Sequence, residues 1–385
     1  MRNRYLVFGQ PVIEEPEIAE VVASLRAAWP GTGPKVAQFE RQMAAYKGSP
    51  HAVAVSSCTA GLHLACVALG IGPGDEVIVP AMTFAATINC VVHAGATPVL
   101  VDVEPDTFNI DPHEVRRAVS GRTKAIIPVH FAGRPCDMES LAAVARENGL
   151  KIIEDCAHAI ETEYHGRKAG TIGDCGVLSF YATKNLVTGE GGMVLTGNAE
   201  IASRVKILAL HGMSHDAWRR FTDDGYKHYE VVEIGFKYNM MDLQAALGIH
   251  QIERVEAYWQ RRLEIWTRYD AAFADLPVSR PAPFGKGVRH GLHLYTLLID
   301  DARSPVRRDD FIVALHRRNI GVGVHYRAIP AHPVYQARFG WRPEDFPVST
   351  EIGQRTVSLP LSAKLTEDDV EDVINAVRDV LGRPA

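Results

Sequence analysis

Lys184 closes the run Ser179-Phe180-Tyr181-Ala182-Thr183 and is followed by Asn185 and, shortly after, by Gly189-Glu190-Gly191-Gly192. A lysine held where it sheds its proton is a nucleophilic amine that can condense with an aldehyde. Alone, it reads equally as a solvated loop residue. A second group with chemical potential is Glu154-Asp155-Cys156-Ala157-His158, which follows the apolar run Lys151 to Ile153. An aspartate at a strand end can pair with a protonated ring nitrogen and keep the ring electron-accepting. His158 lies about a turn beyond it, and such a histidine can also be a hydrogen-bonded structural one.

Two further runs fit beside these. Ser56-Ser57-Cys58-Thr59-Ala60-Gly61-Leu62 opens a helix with small residues, where backbone N–H groups and the helix dipole favour an anion such as a phosphate. The same residues serve as an ordinary N-cap. Pro80-Ala81-Met82-Thr83-Phe84-Ala85 brings an aromatic that can stack on a planar ring or fill a core.

Each run follows a short apolar stretch, and this shared position connects them. The candidate strands are His51 to Val55, Glu76 to Val79, Pro98 to Asp102, Ala125 to Val129, Lys151 to Glu154, Val177 to Phe180 and Met193 to Thr196. Helical periodicity falls between them at Leu62 to Leu69, Ala86 to His93, Met138 to Asn148 and Ile201 to Leu210. The alternation predicts an α/β domain with a largely parallel sheet. Ligands of such sheets bind outside the carboxyl ends of the strands, where an amine, a ring-nitrogen acid, a phosphate cup and a stacking surface together suit pyridoxal 5'-phosphate (PLP). Pro128 lacks a ladder donor and marks the end of its strand.

The periodicity then predicts one long helix over Asp242 to Leu276. Beyond the Pro- and Gly-rich Pro277 to Gly291, shorter mixed segments (Leu294 to Ile299, Arg308 to Arg318, Val322 to Tyr326, Thr366 to Leu381) predict a smaller α+β domain. The expected divisions are a segment 1–30 packing with the small domain, a large cofactor-binding domain 31–255 and a small C-terminal domain 256–385.

Composition narrows the class. The 385 residues carry a formal net charge of -5 and are 46% hydrophobic, with no run of one sign, so neither nucleic acid nor a polyanion is an expected partner. No stretch of about 18 apolar residues occurs and the opening residues carry no signal-peptide core, so a soluble, cytoplasmic protein without membrane contact is expected. The six cysteines (Cys58, Cys66, Cys90, Cys136, Cys156, Cys175) lack zinc-ligand spacing and are expected as buried small hydrophobes, with no metal site.

Several runs together resemble the DegT/StrS group of sugar aminotransferases, over nearly the whole chain. They are Gly31-Thr32-Gly33-Pro34 with Phe39-Glu40, Gly70-Ile71-Gly72-Pro73-Gly74-Asp75-Glu76-Val77, Pro128-Val129-His130-Phe131-Ala132-Gly133, the Asp155 and Lys184 segments, Gly235-Phe236-Lys237-Tyr238-Asn239-Met240, Gly323-Val324-His325-Tyr326 and Ser358-Leu359-Pro360-Leu361. The resemblance implies fold-type I architecture, like aspartate aminotransferase, with a mostly parallel seven-stranded sheet. It implies Lys184 as the residue that binds PLP covalently and shuttles protons, Asp155 at the pyridine nitrogen, His158 near the phenolic oxygen and Phe84 over one ring face. Thr59, Ala60 and Ser179 would hold the phosphate, completed from a second subunit of a homodimer by Lys237 or Asn239. Many members have Asn and Arg at these two positions, and the departure resembles the subgroup acting on UDP-linked 4-keto sugars. Thr32, His325 and Tyr326 are candidates for the sugar-nucleotide wall.

The implied reaction passes an amino group from L-glutamate, through pyridoxamine 5'-phosphate (PMP), to a nucleotide-linked 4-keto-6-deoxy sugar. A C3-keto-sugar aminotransferase is an alternative. Sugar dehydratases of this fold replace the lysine with histidine, and a non-catalytic sensor would be expected to lose Lys184 or Asp155; both residues are present.

Overall fold

The computed structural model describes residues 2–214 and 229–382; Met1 and the part of the expected large domain at 215–228 lie outside the described residues. Helices α1 (Glu15–Arg26) and α2 (Pro34–Lys47) precede β1 (His51–Val55), α3 (Cys58–Ala68), β2 (Glu76–Pro80), α4 (Ala85–His93), β3 (Thr97–Val101), α5 (Pro112–Ala118), β4 (Thr123–Ile126), α6 (Met138–Asn148) and β5 (Lys151–Cys156). Then come β6 (Glu163–Tyr164), β7 (Arg167–Lys168), β8 (Cys175–Ser179), β9 (Gly192–Thr196), α7 (Ala199–Ala209), α8 (Asp242–Gln251) and α9 (Val255–Ala272). The C-terminal part holds β10 (Val278–Ser279), β11 (Val288–Arg289), β12 (Tyr295–Ile299), α10 (Arg308–His316), α11 (Pro333–Phe339), α12 (Pro347–Arg355), β13 (Thr356–Leu359) and α13 (Glu367–Leu381).

The main sheet has 7 strands in the order β1-β9-β8-β5-β4-β2-β3, and only β9 runs against its neighbours. The mostly parallel sheet expected from the sequence is therefore present. Its strands are buried on both faces, which is why they read as near-continuous apolar runs. Gly61 lets α3 lie close on the sheet, since a Cβ there would meet Val177 Cγ1 at 2.6 Å.

Two elements differ from the sequence expectation, each for a physical reason. Strand β4 stops at Ile126, because Pro128 offers only its carbonyl; that oxygen accepts the Asp155 N–H at 2.8 Å. The long helix is two, α8 and α9, joined by a 3₁₀ turn at Ile252–Arg254. Ala245 and Ile249 pack with the sheet core, whereas Ile265, Trp266 and Tyr269 pack with the C-terminal core, so the buried face changes partner at the turn. In the mixed segment 322–326, Gly323 makes a single antiparallel bridge to Ser358, and the chain then leaves the ladder.

The small sheet β10-β12-β13 carries α10 and α13 over an apolar core that includes Tyr295, Leu297, Phe311, Val357, Val370 and Val377. Helix α13 is stopped from fraying by a capping box, in which Thr366 Oγ1 accepts the Asp369 N–H and Asp369 accepts the Thr366 N–H. At the N-terminus, Leu6 pairs with Ile320, and Arg2 is 2.6 Å from Asp369. Helix α1 instead lies along α8, with Glu17 buried against Arg254 and Glu20 bonded by His250 at 2.9 Å. Among the described residues no helix is long and apolar enough to cross a membrane.

Candidate active site

The carboxyl ends of β5 and β8 and the start of α3 meet around Asp155 and Lys184. Asp155 is 4% exposed. Its Oδ2 accepts the Thr87 hydroxyl at 2.9 Å and its Oδ1 accepts the Ala157 N–H at 3.1 Å. Thr83 in turn is 2.8 Å from Thr87, so the two hydroxyls form a short relay ending on the carboxylate. Burial raises the Asp155 pKa, against these hydrogen bonds and the charge of Lys184. Such a carboxyl is short of a cationic partner.

Lys184 follows β8 in a segment of turns whose first bond is Lys184 N–H to the Tyr181 carbonyl at 2.8 Å. Burial pushes its amine down to about 8, opposed by Cys58 and Asp155. Its Nζ has no hydrogen bond or ion pair among the described residues. An amine so placed is neutral for a sizeable fraction of molecules near neutral pH, as Schiff-base chemistry requires.

His158 accepts the Ala132 N–H on Nδ1 at 3.2 Å, so in the neutral ring Nε2 carries the proton and donates to the Tyr326 hydroxyl at 3.0 Å. The Tyr326 hydrogen is thereby free for another acceptor. Burial first, and the charge of Lys184 second, hold His158 well below the ordinary imidazole range. The same causes act on His325, lowered to about 3, whose Nδ1 is 2.9 Å from Ser358 Oγ. Phe84 is 60% exposed, with its ring 5.9 Å from that of Tyr326.

At the start of α3 the cap is Ser57, whose hydroxyl accepts the Ala60 N–H at 3.1 Å. Thr59 is exposed, Ala60 is buried, and Ser179 ends β8 half-buried. Gly192 packs against this turn so closely that a Cβ would meet Ser57 C at 2.5 Å. The cap uses the Ala60 N–H, and the N–H groups of Cys58 and Thr59, which have no partner inside the helix, remain for an anion.

The remaining candidates lie elsewhere on the chain. Asn239 donates to Thr32 Oγ1 at 2.7 Å, and Thr32 donates to the Met240 carbonyl at 2.6 Å. Both line a groove of about 160 Å³ with Glu40 and Lys206. Lys237 is exposed, and its backbone pairs with Leu210. The segment still touches the helix start, through the Ser56 N–H donated to the Tyr238 carbonyl at 2.7 Å.

Sequence reading missed Thr87, Asn185 as a bonding group, and His293. His293 is 6% exposed, with its ring centroid 4.4 Å from that of His158. Thr87 had one available signal, its place a helical turn after Phe84; His293 had none local to it. All six cysteines are buried and free. His130, Glu154 and Cys156 bring ligand-type atoms within 4.8 Å of one another. There, however, Glu154 accepts hydrogen bonds from His130 and from the N–H groups of Gly170, Ile172 and Gly173, which makes it a hub for the loop before β8.

The donor set fits PLP: a buried acid wanting a cation, an unpartnered amine, and a helix start open to a phosphate. Comparison with known proteins agrees. Residues 11–378 match the DegT/DnrJ/EryC1/StrS aminotransferase family. The chain is 49% identical to the spore coat polysaccharide biosynthesis protein SpsC of Bacillus subtilis, over 99% of this chain and 98% of that one. Spr1654 of Streptococcus pneumoniae, assigned as a sugar aminotransferase, superposes in its PMP form with a TM-score of 0.91 at 34% identity, covering 98% of this chain and 97% of that chain. It is also solved in a PLP form. PseC of Helicobacter pylori, an aminotransferase of pseudoaminic acid biosynthesis, superposes with a TM-score of 0.90 at 27% identity, covering 99% of this chain and 100% of that chain. This chain, with Lys184 and Asp155 at adjoining strand ends, belongs to the DegT/DnrJ/EryC1/StrS family of PLP-dependent sugar aminotransferases.

Proposed function

We propose that the protein transfers the amino group of L-glutamate to C4 of a 4-keto-6-deoxy sugar carried by UDP or dTDP. The observation that carries the reading is the unpartnered Lys184 amine, lowered to about 8, within electrostatic reach of the buried Asp155. A lysine here favours transamination over sugar dehydration. The choice of a nucleotide-linked sugar draws on the likeness to SpsC and PseC and on Lys237 and Asn239 in the subgroup pattern.

PLP, when bound, supplies an electron sink for the carbon that loses its proton. Asp155 holds a proton at the ring nitrogen, and Thr87 and the Ala157 N–H fix the carboxylate for that work. Lys184 Nζ would take the proton from the donor's α-carbon and, in the second half-reaction, deliver a proton to C4 of the keto sugar. The Ser57 to Ala60 turn and Ser179 hold the phosphate, and Phe84 covers a ring face. His158 orients Tyr326, whose free O–H donates to a ligand oxygen. Thr32 and His325 wall the sugar-nucleotide cleft, and the working unit is a homodimer in which Lys237 or Asn239 serves the neighbouring phosphate cup. The test is an assay with L-glutamate against UDP-, dTDP- and GDP-linked 4-keto and 3-keto sugars, with product configuration read by NMR. Amination at C4 of a UDP or dTDP sugar is expected; turnover only of 3-keto sugars, or only of GDP sugars, would contradict the reading.

A further inference from the structure

Arg262, on α9, is 2% exposed and pairs with Glu161, which is fully buried. Glu161 Oε2 accepts an N–H from Asn185 Nδ2 at 2.9 Å, and the same nitrogen donates to the Gly291 carbonyl at 2.8 Å. With both amide hydrogens used, Asn185 can offer only Oδ1 to His293 Nδ1, 3.1 Å away, and that ring nitrogen must carry the proton. His293 packs on His158, which reaches Tyr326. Gly291 is itself fixed, because its N–H donates to the Gly133 carbonyl at 2.7 Å and a Cβ there would meet Thr162 Oγ1 at 2.6 Å.

We propose that Asn185 is a positioning residue for Lys184, clamped by the buried Arg262–Glu161 pair and setting the tautomer of His293. The inference rests on Lys184 being the reactive amine. A buried ion pair adds little net stability compared with apolar residues of the same size. Its effect here is directional: a charged acceptor at Glu161 fixes the amide of the residue next to Lys184. Residues 181–188 form turns without regular structure, so a lysine on a four-carbon stem needs such an anchor. Val187 N–H, donated to Gln251 Oε1 at 2.9 Å, anchors the same segment from α8. The relay also keeps His293 a neutral ring with a defined acceptor nitrogen, in line with burial and Lys184 holding its pKa well below the ordinary range.

The test compares PLP-loaded wild-type protein with Asn185→Ala and with the double variant Glu161→Leu/Arg262→Met, which removes the clamp without leaving a lone buried charge. Measured are kcat and KM for L-glutamate in the donor half-reaction, the pH midpoint of the visible absorbance, the ¹⁵N imidazole shifts of His293 and the unfolding temperature. A misplaced amine is expected to lower kcat roughly 100-fold with donor KM little changed. The pH midpoint should move in both variants, and His293 should lose its fixed Nδ1 proton in Asn185→Ala. The proposal is overturned if folded Asn185→Ala keeps kcat within about twofold and the wild-type midpoint and tautomer, whatever its unfolding temperature. Should the double variant not fold, Asn185→Ala decides alone. Failure of wild-type protein to respond to the donor, or undiminished turnover of Lys184→Ala, would instead overturn the role of Lys184.

Discussion

Thr87 Oγ1 donates to Asp155 Oδ2 at 2.9 Å, and both side chains are buried. A hydrogen bond to a charged group inside a protein contributes about 1.5 to 3 kcal/mol, so this hydroxyl is a main support of the carboxylate. Thr87→Val keeps the shape and removes the donor. It should raise the Asp155 pKa further and weaken PLP binding roughly tenfold, read by fluorescence titration of the apoprotein. Asp155→Asn should keep much of the binding yet slow the donor half-reaction, because an amide does not hold the ring nitrogen protonated. A parental half-reaction rate in Asp155→Asn would show that the acid lies elsewhere.

Capture of PLP by the apoprotein requires the neutral Lys184 amine. Because burial lowers this amine from 10.5 to about 8, the capture rate should climb about tenfold per pH unit below that value and level off above it. Stopped-flow absorbance measures it. A climb continuing towards 10.5 would mean the amine is not desolvated as described.

His158 and His293 are buried and His325 is half-buried, all three in a form that resists protonation, and Lys184 adds to the effect. Their folded pKa values lie below the unfolded value of 6.5, so the unfolded chain binds protons first as pH falls. The apoprotein should therefore be stable above 6.5 and lose up to about 1.4 kcal/mol per histidine per pH unit below it. Asp155, raised by burial, has the opposite sign: the folded chain holds its proton to higher pH than the unfolded chain does. Urea unfolding across this pH range should give a shallower slope for His325→Gln than for wild type; equal slopes would contradict the assignment.

The proposed dimer has its own test. Lys184→Ala and Lys237→Ala subunits, each impaired alone, should on mixing regain activity in heterodimers, where one site has both residues intact. Absence of complementation despite confirmed subunit exchange would count against a shared site.

Much of this arrangement was legible in the sequence because a parallel sheet places loop chemistry at strand ends. Asp155 at the carboxyl end of β5 and Lys184 after β8 could thus be brought together from two apolar runs and the residues that follow them. Thr87 was legible only as a residue one helical turn after Phe84; its tie to Asp155 was not, since that partner is 68 positions away. The Arg262–Glu161–Asn185–His293 relay joins residues from both halves of the chain, and only tertiary packing makes it visible. The break between α8 and α9 escaped notice because helical periodicity continues across it while the packing partner changes. Residues 322–326 read only as a mixed segment, because what places His325 and Tyr326 is their facing Ser358 and His158 across the fold.

The most direct test of the central claim is a single-turnover absorbance measurement of the PLP-loaded protein mixed with L-glutamate and no sugar. Wild type should lose its yellow band as the cofactor takes the amino group. Lys184→Ala, reconstituted with PLP and confirmed to contain it, should do so slower by roughly 10² to 10⁴-fold. Bleaching of Lys184→Ala at the wild-type rate would contradict the assignment of Lys184 as the residue that moves the proton.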